Sequence, residues 1–387
     1  MTRKEFLKLA SILGIQVSAF PAYASAKSMA MLRNSLDKVI IIGAGAAGLS
    51  AGYLLKQLGV DFKILEARPG YGGRMKKTDD FADFPIPLGA EWLTVSTSIF
   101  EEIVNDSTVP VNVDTVGYNQ NDEYGIWVDG KLLLSDLGSF NYRKFVATTW
   151  LDFFEEYVIP PVAKDIIYEA PVHSIDYMGK GVTIKTADAE FTADAVIVTV
   201  PLNILQNDGI NFNPPLPKYK LKAISDTVVW DGIKVFLEFS ERFYPAYIDF
   251  QITPETSGQV SYFDASYGQK TDKNILGLFA VGEPAKRYLT LSDKDLQSYI
   301  LTELDEIFQG QATPNYIRHI AQDWSEEPYI EGAYLNDHAD WRSVRVLSEP
   351  VEDKVYFAGD AYTTGEDWGS VHCAAQSAKE AVQKIVS

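Results

Sequence analysis

The sequence has one cysteine, Cys373, and only four histidines, His173, His319, His338 and His372, in 387 residues. A single thiol excludes an intramolecular disulfide framework and any cysteine-rich zinc or iron–sulfur site. The histidines lack His-x-x-x-His spacing, so the pattern points to no metal enzyme. Apolar runs are short: none after the N-terminal segment reaches the length of a membrane span, about 18 residues. Positive charge is scarce as well, 34 Lys+Arg against 53 Asp+Glu, giving a formal charge of -19. Such a chain repels the phosphate backbone of nucleic acid, and that class of partner is excluded. Neither Gly, at 27, nor Pro, at 18, reaches collagen-like or low-complexity levels, and 12% aromatic residues suffice for packed cores. At roughly 150 residues per domain, two or three domains are expected.

The first 26 residues read as an address. Arg3, Lys4 and Lys8 are basic, Leu9 to Phe20 is mostly apolar, and Ala22-Tyr23-Ala24 and Ala24-Ser25-Ala26 are both A-x-A cleavage sites. The run from Thr2 to Lys8 resembles a twin-arginine export signal with Lys4 in place of the second arginine, although an ordinary export signal reads nearly as well. Either implies a periplasmic or secreted destination.

Lys38-Val39-Ile40-Ile41-Ile42 is apolar after its first residue, as a strand buried on both faces must be. It runs into Gly43-Ala44-Gly45-Ala46-Ala47-Gly48, then a helical stretch to about Leu58 and a second strand, Asp61 to Leu65, ending at Glu66. Gly43 permits the tight turn, Gly45 lets backbone approach a pyrophosphate, and Gly48 brings the helix close to the sheet. The helix start offers free N–H groups to phosphates. Glu66 stands where a carboxylate accepts from both ribose hydroxyls and repels a 2′-phosphate. Strand, loop, helix, strand and acid in register make a dinucleotide site the expected reading.

Glu66-Ala67-Arg68-Pro69-Gly70-Tyr71-Gly72-Gly73-Arg74 then resembles the motif that follows the fingerprint in flavin-containing amine oxidases, the monoamine and polyamine oxidases and flavin histone demethylases. Leu88-Gly89-Ala90-Glu91-Trp92 resembles the family's segment beside the isoalloxazine ring. Ala193 to Leu202 resembles the strand that returns to the FAD domain, and Val172 matches the residue that holds adenine through its backbone. Near the C-terminus, Val355-Tyr356-Phe357-Ala358-Gly359-Asp360 resembles the strand whose acid holds the ribitol chain, and Gly369-Ser370-Val371 opens the last helix. The resemblance implies that Arg74 meets the FAD phosphates, that Arg68 lies near the adenosine, and that the last helix points its positive end at the flavin pyrimidine edge.

It also implies a fold: a doubly wound α/β FAD-binding domain from residues 36–92, 166–205 and 323–387, with a reduced α+β substrate domain from 93–165 and 206–322. The interval from Leu93 to Glu169 is shorter than the helical lobe usual in the family, and no Gly-Gly-Met segment precedes Val172.

Alternation from Ile233 to Phe239 argues a strand with Lys234 on the face opposite Ile233 and Val235. In isolation that lysine would be expected to snorkel to the surface. The segment resembles the family's flavin-facing lysine strand, which implies that Lys234 holds a water against flavin N5. Trp324 to Tyr334 resembles the segment bordering the flavin face. Ala333 stands where monoamine oxidases carry the cysteine that bonds FAD, so non-covalent FAD is implied, and Tyr334 forms one wall of an aromatic pair around the amine. Ser370 replaces the tyrosine usual on the opposite wall, and Trp92 completes the substrate contacts. His372 reads as a satisfied helix residue or as one lining the cavity, and Cys373 as a buried apolar one.

Together these features imply an FAD-dependent oxidase of a primary or secondary amine, with O2 as acceptor and hydrogen peroxide as product; the half-built cage leaves room for an amine bulkier than a small monoamine. An amino-acid oxidase fits less well, since Leu88 to Thr94 contains no arginine for a substrate carboxylate. A desaturase or protoporphyrinogen-type oxidase, or an FAD binder with little catalysis, stands as an alternative. Dimerisation is left open.

Overall fold

The computed structural model describes residues 36–253 and 256–387, so the export-type segment over residues 1–26 lies outside the described residues. A strand apolar on both faces needs cover on both. Lys38–Ile42 is the centre of a five-stranded parallel sheet ordered Ile166–Ile167, Asp61–Leu65, Lys38–Ile42, Ala195–Val198, Val355–Phe357. Its alternate side chains enter different cores. Val39 and Ile41 pack with the helices Ala46–Leu58 and Val371–Val386, while Ile40 and Ile42 pack with Val172, Leu202 and Val344 on the other face. This is the doubly wound arrangement expected from the sequence, and the fingerprint helix ends at Leu58, where Gly59 takes the left-handed conformation (φ 72°) that closes it.

A second, four-stranded sheet, Glu190–Ala193, Val182–Thr186, Val172–Asp176 and Asn211–Asn213, flanks this domain. The substrate side is a seven-stranded sheet in which Gly232–Phe239 runs antiparallel between Tyr316–Asp323 and Asn274–Gly282. Ile233, Val235, Leu237 and Phe239 face a core shared with the helix Asp293–Ile307 through Leu296, Ile300 and Leu304. Phe236, of opposite parity, belongs to a different cluster with Phe263 and Leu88. The alternation read in the sequence therefore places Lys234 away from the helix-covered face.

The packing does not change at Leu93, where the sequence reading put a domain boundary. Ser98–Val104 and Trp150–Phe153 bury Ile99, Phe100 and Phe153 in the core of the fingerprint helix. Only the middle of the segment crosses over, with Glu123–Val128 and Lys131–Asp136 joining the seven-stranded sheet. Likewise Leu216, Ala223 and Ile224 pack with the dinucleotide-binding domain. Apolar residues at both ends of the first insert and at the start of the second thus find cover against that domain. Among the described residues no helix is long and apolar enough to cross a membrane.

Lys220 shows how the chain closes one helix end. Fully buried, it donates to the carbonyl oxygens of Val346 (3.1 Å), Leu347 (2.8 Å) and Glu349 (2.6 Å) at the C-terminus of Trp341–Leu347. Its ammonium also lies 3.7 Å from the centroid of the Phe357 ring, on the sheet's edge strand. Lys220→Met would leave three carbonyls without this donor, and urea unfolding is expected to show a loss of about 2–4 kcal/mol.

Candidate active site

A cavity of about 850 Å³ runs from the fingerprint loop to the seven-stranded sheet, near the upper end of the roughly 300–1,000 Å³ usual for cofactor and ligand sites. At one end lie Gly43, Gly45, Ala46 and Ala47 with Glu66, Ala67 and Arg68. A Cβ at Gly48 would lie 1.9 Å from the Gly43 carbonyl oxygen, so the helix is seated directly on the turn, and Gly48 packs there instead of lining the cavity. A Cβ at Gly45 would meet nothing within 4 Å. It would enter the cavity where a ligand's backbone-bound phosphates belong. Glu66 is buried; its oxygens accept from the amides of Ala44 (2.6 Å) and Arg68 (2.9 Å). Burial raises its pKa while these amides pull it down. The carboxylate is thus oriented by its own loop, with lone pairs left for a diol.

Gly73, Arg74, Gly89, Ala90, Glu91, Trp92, Val172, Trp324, Gly359, Asp360, Gly369, Ser370 and Val371 all line the same cavity. Arg74 grips the Asp360 carboxylate with both terminal nitrogens, Nη1 lying 2.9 Å from Oδ2, and also donates to the Ala333 carbonyl. The resemblance assigned these two residues to different parts of a cofactor; the structure pairs them. A guanidinium has five N–H donors, so Arg74 retains two for a ligand. Arg68 pairs with Glu327, which Lys76 also reaches at 3.1 Å. Leu88 stands behind the wall: it is buried, and its carbonyl accepts from the Trp324 indole at 3.0 Å. Ser370 precedes the last helix and makes no capping bond with its side chain.

Lys234 is buried and lines the cavity. Its ammonium donates to Glu91 Oε2 (2.7 Å) and to the carbonyls of Pro87 (2.8 Å) and Gly89 (3.1 Å). An ammonium has three donors, and all three are taken by protein. The water-holding role implied by the resemblance thus meets a lysine already saturated, because Glu91 and the turn before it supply acceptors. Burial lowers the Lys234 pKa, with Glu91 opposing the shift.

The far end of the cavity is aromatic. Trp92 packs against Phe263 (ring centroids 4.9 Å), Phe279 (5.8 Å), Tyr142 (6.0 Å) and Tyr247 (6.1 Å). Tyr142, Tyr247, Phe279, Tyr334 and Trp368 reach the cavity here. Tyr334 meets Trp230 edge-on at 5.9 Å, and Gly369 backs its ring so closely that a Cβ there would lie 3.1 Å from it. Burial pushes the Tyr334 hydroxyl well above its usual range, with Asp337 adding to the shift. Asp337 and Asp367 also line this end. Burial holds the Asp337 pKa above the ordinary value; His338 lowers it and Asp367 raises it further.

Tyr142, Tyr247, Phe279, Asp337 and Trp368 were not singled out from the sequence, since aromatic residues in a chain with 21 tyrosines and 20 phenylalanines carry no individual signal. Lys144 was also missed; the antiparallel pairing of its strand with Trp92–Leu93 sets it opposite Trp92. His372 and Cys373 are both buried, and neither lines the cavity. With the exposed Asp367 they bring three ligand-type atoms within 4.8 Å of one another, a grouping that histidine spacing did not reveal.

In sequence, lysine-specific histone demethylase 1B of Mus musculus is 27% identical over 410 residues, covering 84% of this chain and 50% of that protein. The chain therefore spans about half the length of this relative. Polyamine oxidase 1 of Zea mays is 24% identical, with 90% of each chain covered. In fold, wild-type putrescine oxidase bound to putrescine aligns with TM-score 0.74 at 16% identity, over 90% of this chain and 99% of that one. Cyclohexylamine oxidase from Brevibacterium oxydans also gives TM-score 0.74, at 14% identity and over 91% and 99%.

Gly45 has an ordinary backbone conformation (φ -81°, ψ -171°) and free space beyond it, so Gly45→Val should fold normally. The variant is expected to lose the bound cofactor's visible absorption while circular dichroism and the thermal transition of the apoprotein stay unchanged. The profile of NAD(P)-binding Rossmann-like domains matches residues 41–106, and that of flavin containing amine oxidoreductases matches residues 151–386, more than half of the chain. The chain thus belongs to the flavin-containing amine oxidoreductases, enzymes whose cofactor is FAD.

Proposed function

We propose that the chain oxidises a primary or secondary amine by taking a hydride from its α-carbon and passing the electrons to oxygen, with hydrogen peroxide as product. One observation carries this reading: the fingerprint loop, Lys234 and the aromatic end with Asp337 all line one cavity. A cofactor seated on the loop and a substrate held among the rings would share that space. When bound, FAD supplies the two-electron acceptor at flavin N5. Gly45, Glu66, Arg74 and Val172 would hold it, and Ala333 offers only a methyl group, so the association is non-covalent.

At the other end, the faces of Trp92, Tyr142 and Tyr334 suit an amine nitrogen, and the Asp337 and Asp367 carboxylates favour a ligand that arrives as a cation. The ammonium gives its proton to water on entering the site, and the nitrogen reacts in its neutral form. Its lone pair forms the C=N bond as the C–H bond breaks, and the iminium loses its proton to water before hydrolysis. No strong general base is needed, which fits a cavity wall whose lysine is committed to internal acceptors. The buried ammonium of Lys234 would act as a fixed charge for an electron-rich acceptor. The relatives add support: the solved neighbours' names specify putrescine and cyclohexylamine, and the sequence relatives act on polyamines or histone lysine, all amines.

The test is an anaerobic titration of the FAD-loaded protein with benzylamine, putrescine, spermidine and amino acids, following the oxidised flavin band. One amine class is expected to bleach it, with colour and peroxide returning on admission of air. A flavin that no amine bleaches would move the assignment to an apolar-substrate oxidase or a binder without catalysis.

A further inference from the structure

The Lys234–Glu91 pair has a third member. Lys144, on the strand Arg143–Phe145, is as buried as its partners: all three side chains are 3% exposed. Its ammonium lies 3.0 Å from Glu91 Oε1 and donates to the carbonyls of Asp264 (3.2 Å) and Ala265 (3.0 Å). Each carboxylate oxygen thus takes one lysine, and each lysine fills its remaining donors with two carbonyls. The group is complete in hydrogen bonds and carries one net positive charge. Lys234 and Glu91 line the main cavity, whereas Lys144 stands behind them. Rings crowd the group: the Phe263 centroid is 5.0 Å from the Lys144 nitrogen and 5.5 Å from that of Lys234.

A lysine paired only with Glu91 would present a neutral dipole to the cavity. The second lysine changes that sum. The two cations outweigh the effect of burial and hold the Glu91 pKa below its ordinary value, so the carboxylate stays ionised and its partners stay in place. We infer that Lys144 is a positioning residue that acts through Glu91 and Lys234, giving the cavity wall a net positive charge that favours the reduced, electron-rich form of the bound flavin. This rests on FAD occupying the cavity, but not on which substrate reduces it.

The experiment is the two-electron midpoint potential of the FAD-loaded protein, measured by equilibration with a reference dye under slow enzymatic reduction, with no amine present. Lys144→Met and Lys144→Gln both remove the charge, and the glutamine keeps donors near the Asp264 and Ala265 carbonyls. Each is expected to favour oxidised over reduced flavin about tenfold more than the parent, a fall of about 30 mV for a two-electron couple. Lys144→Arg, which keeps the charge, should leave the potential near the parent value. Combining Lys144→Gln with Glu91→Gln restores the net charge and should bring the potential back towards the parent. The inference is overturned if the single neutral variants keep the parent potential, or if the double variant falls as far as the single one. A purely structural Lys144 would give the latter result. A chain in which all these variants behave as expected but no amine reduces the flavin would fail the proposed reaction and leave the inference standing.

Discussion

A carboxylate enclosed by protein must be ionised and fully partnered, or neutral. Glu91 meets that constraint with two lysines from different parts of the chain, and much of the architecture is arranged around the result. The loop carrying Glu91 leaves the dinucleotide-binding domain, Lys144 comes from the small strand paired with Trp92, and Lys234 comes from the strand next to the edge of the seven-stranded sheet. Their carbonyl partners at Pro87, Gly89, Asp264 and Ala265 draw two further turns into the same knot. Removing Glu91 would leave two buried cations uncompensated, typically at a cost of about 3–5 kcal/mol, whereas removing either lysine leaves a neutral pair. This knot fixes where the substrate sheet sits against the cofactor loop, and so where the cavity lies.

The dinucleotide end is governed by a different constraint, the close approach of backbone to backbone. Gly48 seats the helix on the turn, Gly89 passes so near Arg74 that a Cβ would lie 1.8 Å from its carbonyl oxygen, and Gly45 alone keeps clear space towards the cavity. Arg74 and Asp360, far apart in sequence, then join the first and last segments of the domain across the cavity wall. The last helix begins beside them with Gly369, Ser370 and Val371 in the wall, so its unpaired N–H groups lie at the cavity end. Positive potential therefore reaches the cavity both from a helix start and from the lysine pair.

How much of this was legible follows from the kind of signal each part leaves. The fingerprint strand, its helix and Glu66 are set by local steric rules with few alternatives, and their limits agree with the sequence reading to within a residue. Lys234 was placed on the correct face because strand alternation has a period of two. Its saturation by three acceptors was not legible, because two of those acceptors are backbone carbonyls and the third belongs to a residue 143 positions away. Lys144 carries no local signal of burial; only the register with Trp92 turns it inward. The aromatic end escaped for a similar reason, since Tyr247 and Phe279 come from separate strands, Tyr142 from the residue before a third, and they meet only when the sheets are assembled. That apolar segments of both inserts pack back on the dinucleotide domain was not legible either, since core packing and not local sequence makes that choice.

The account turns on the fingerprint loop and the aromatic end serving one reaction in one space. The most direct measurement is rapid anaerobic mixing of the FAD-loaded protein with an accepted amine, normal or deuterated at the α-carbon, at saturating concentration. The account predicts that the flavin band decays in both cases, and severalfold more slowly with the deuterated amine, because the C–H bond breaks as the flavin is reduced. Equal rates for the two amines would contradict hydride transfer as the step that joins the two ends of the cavity.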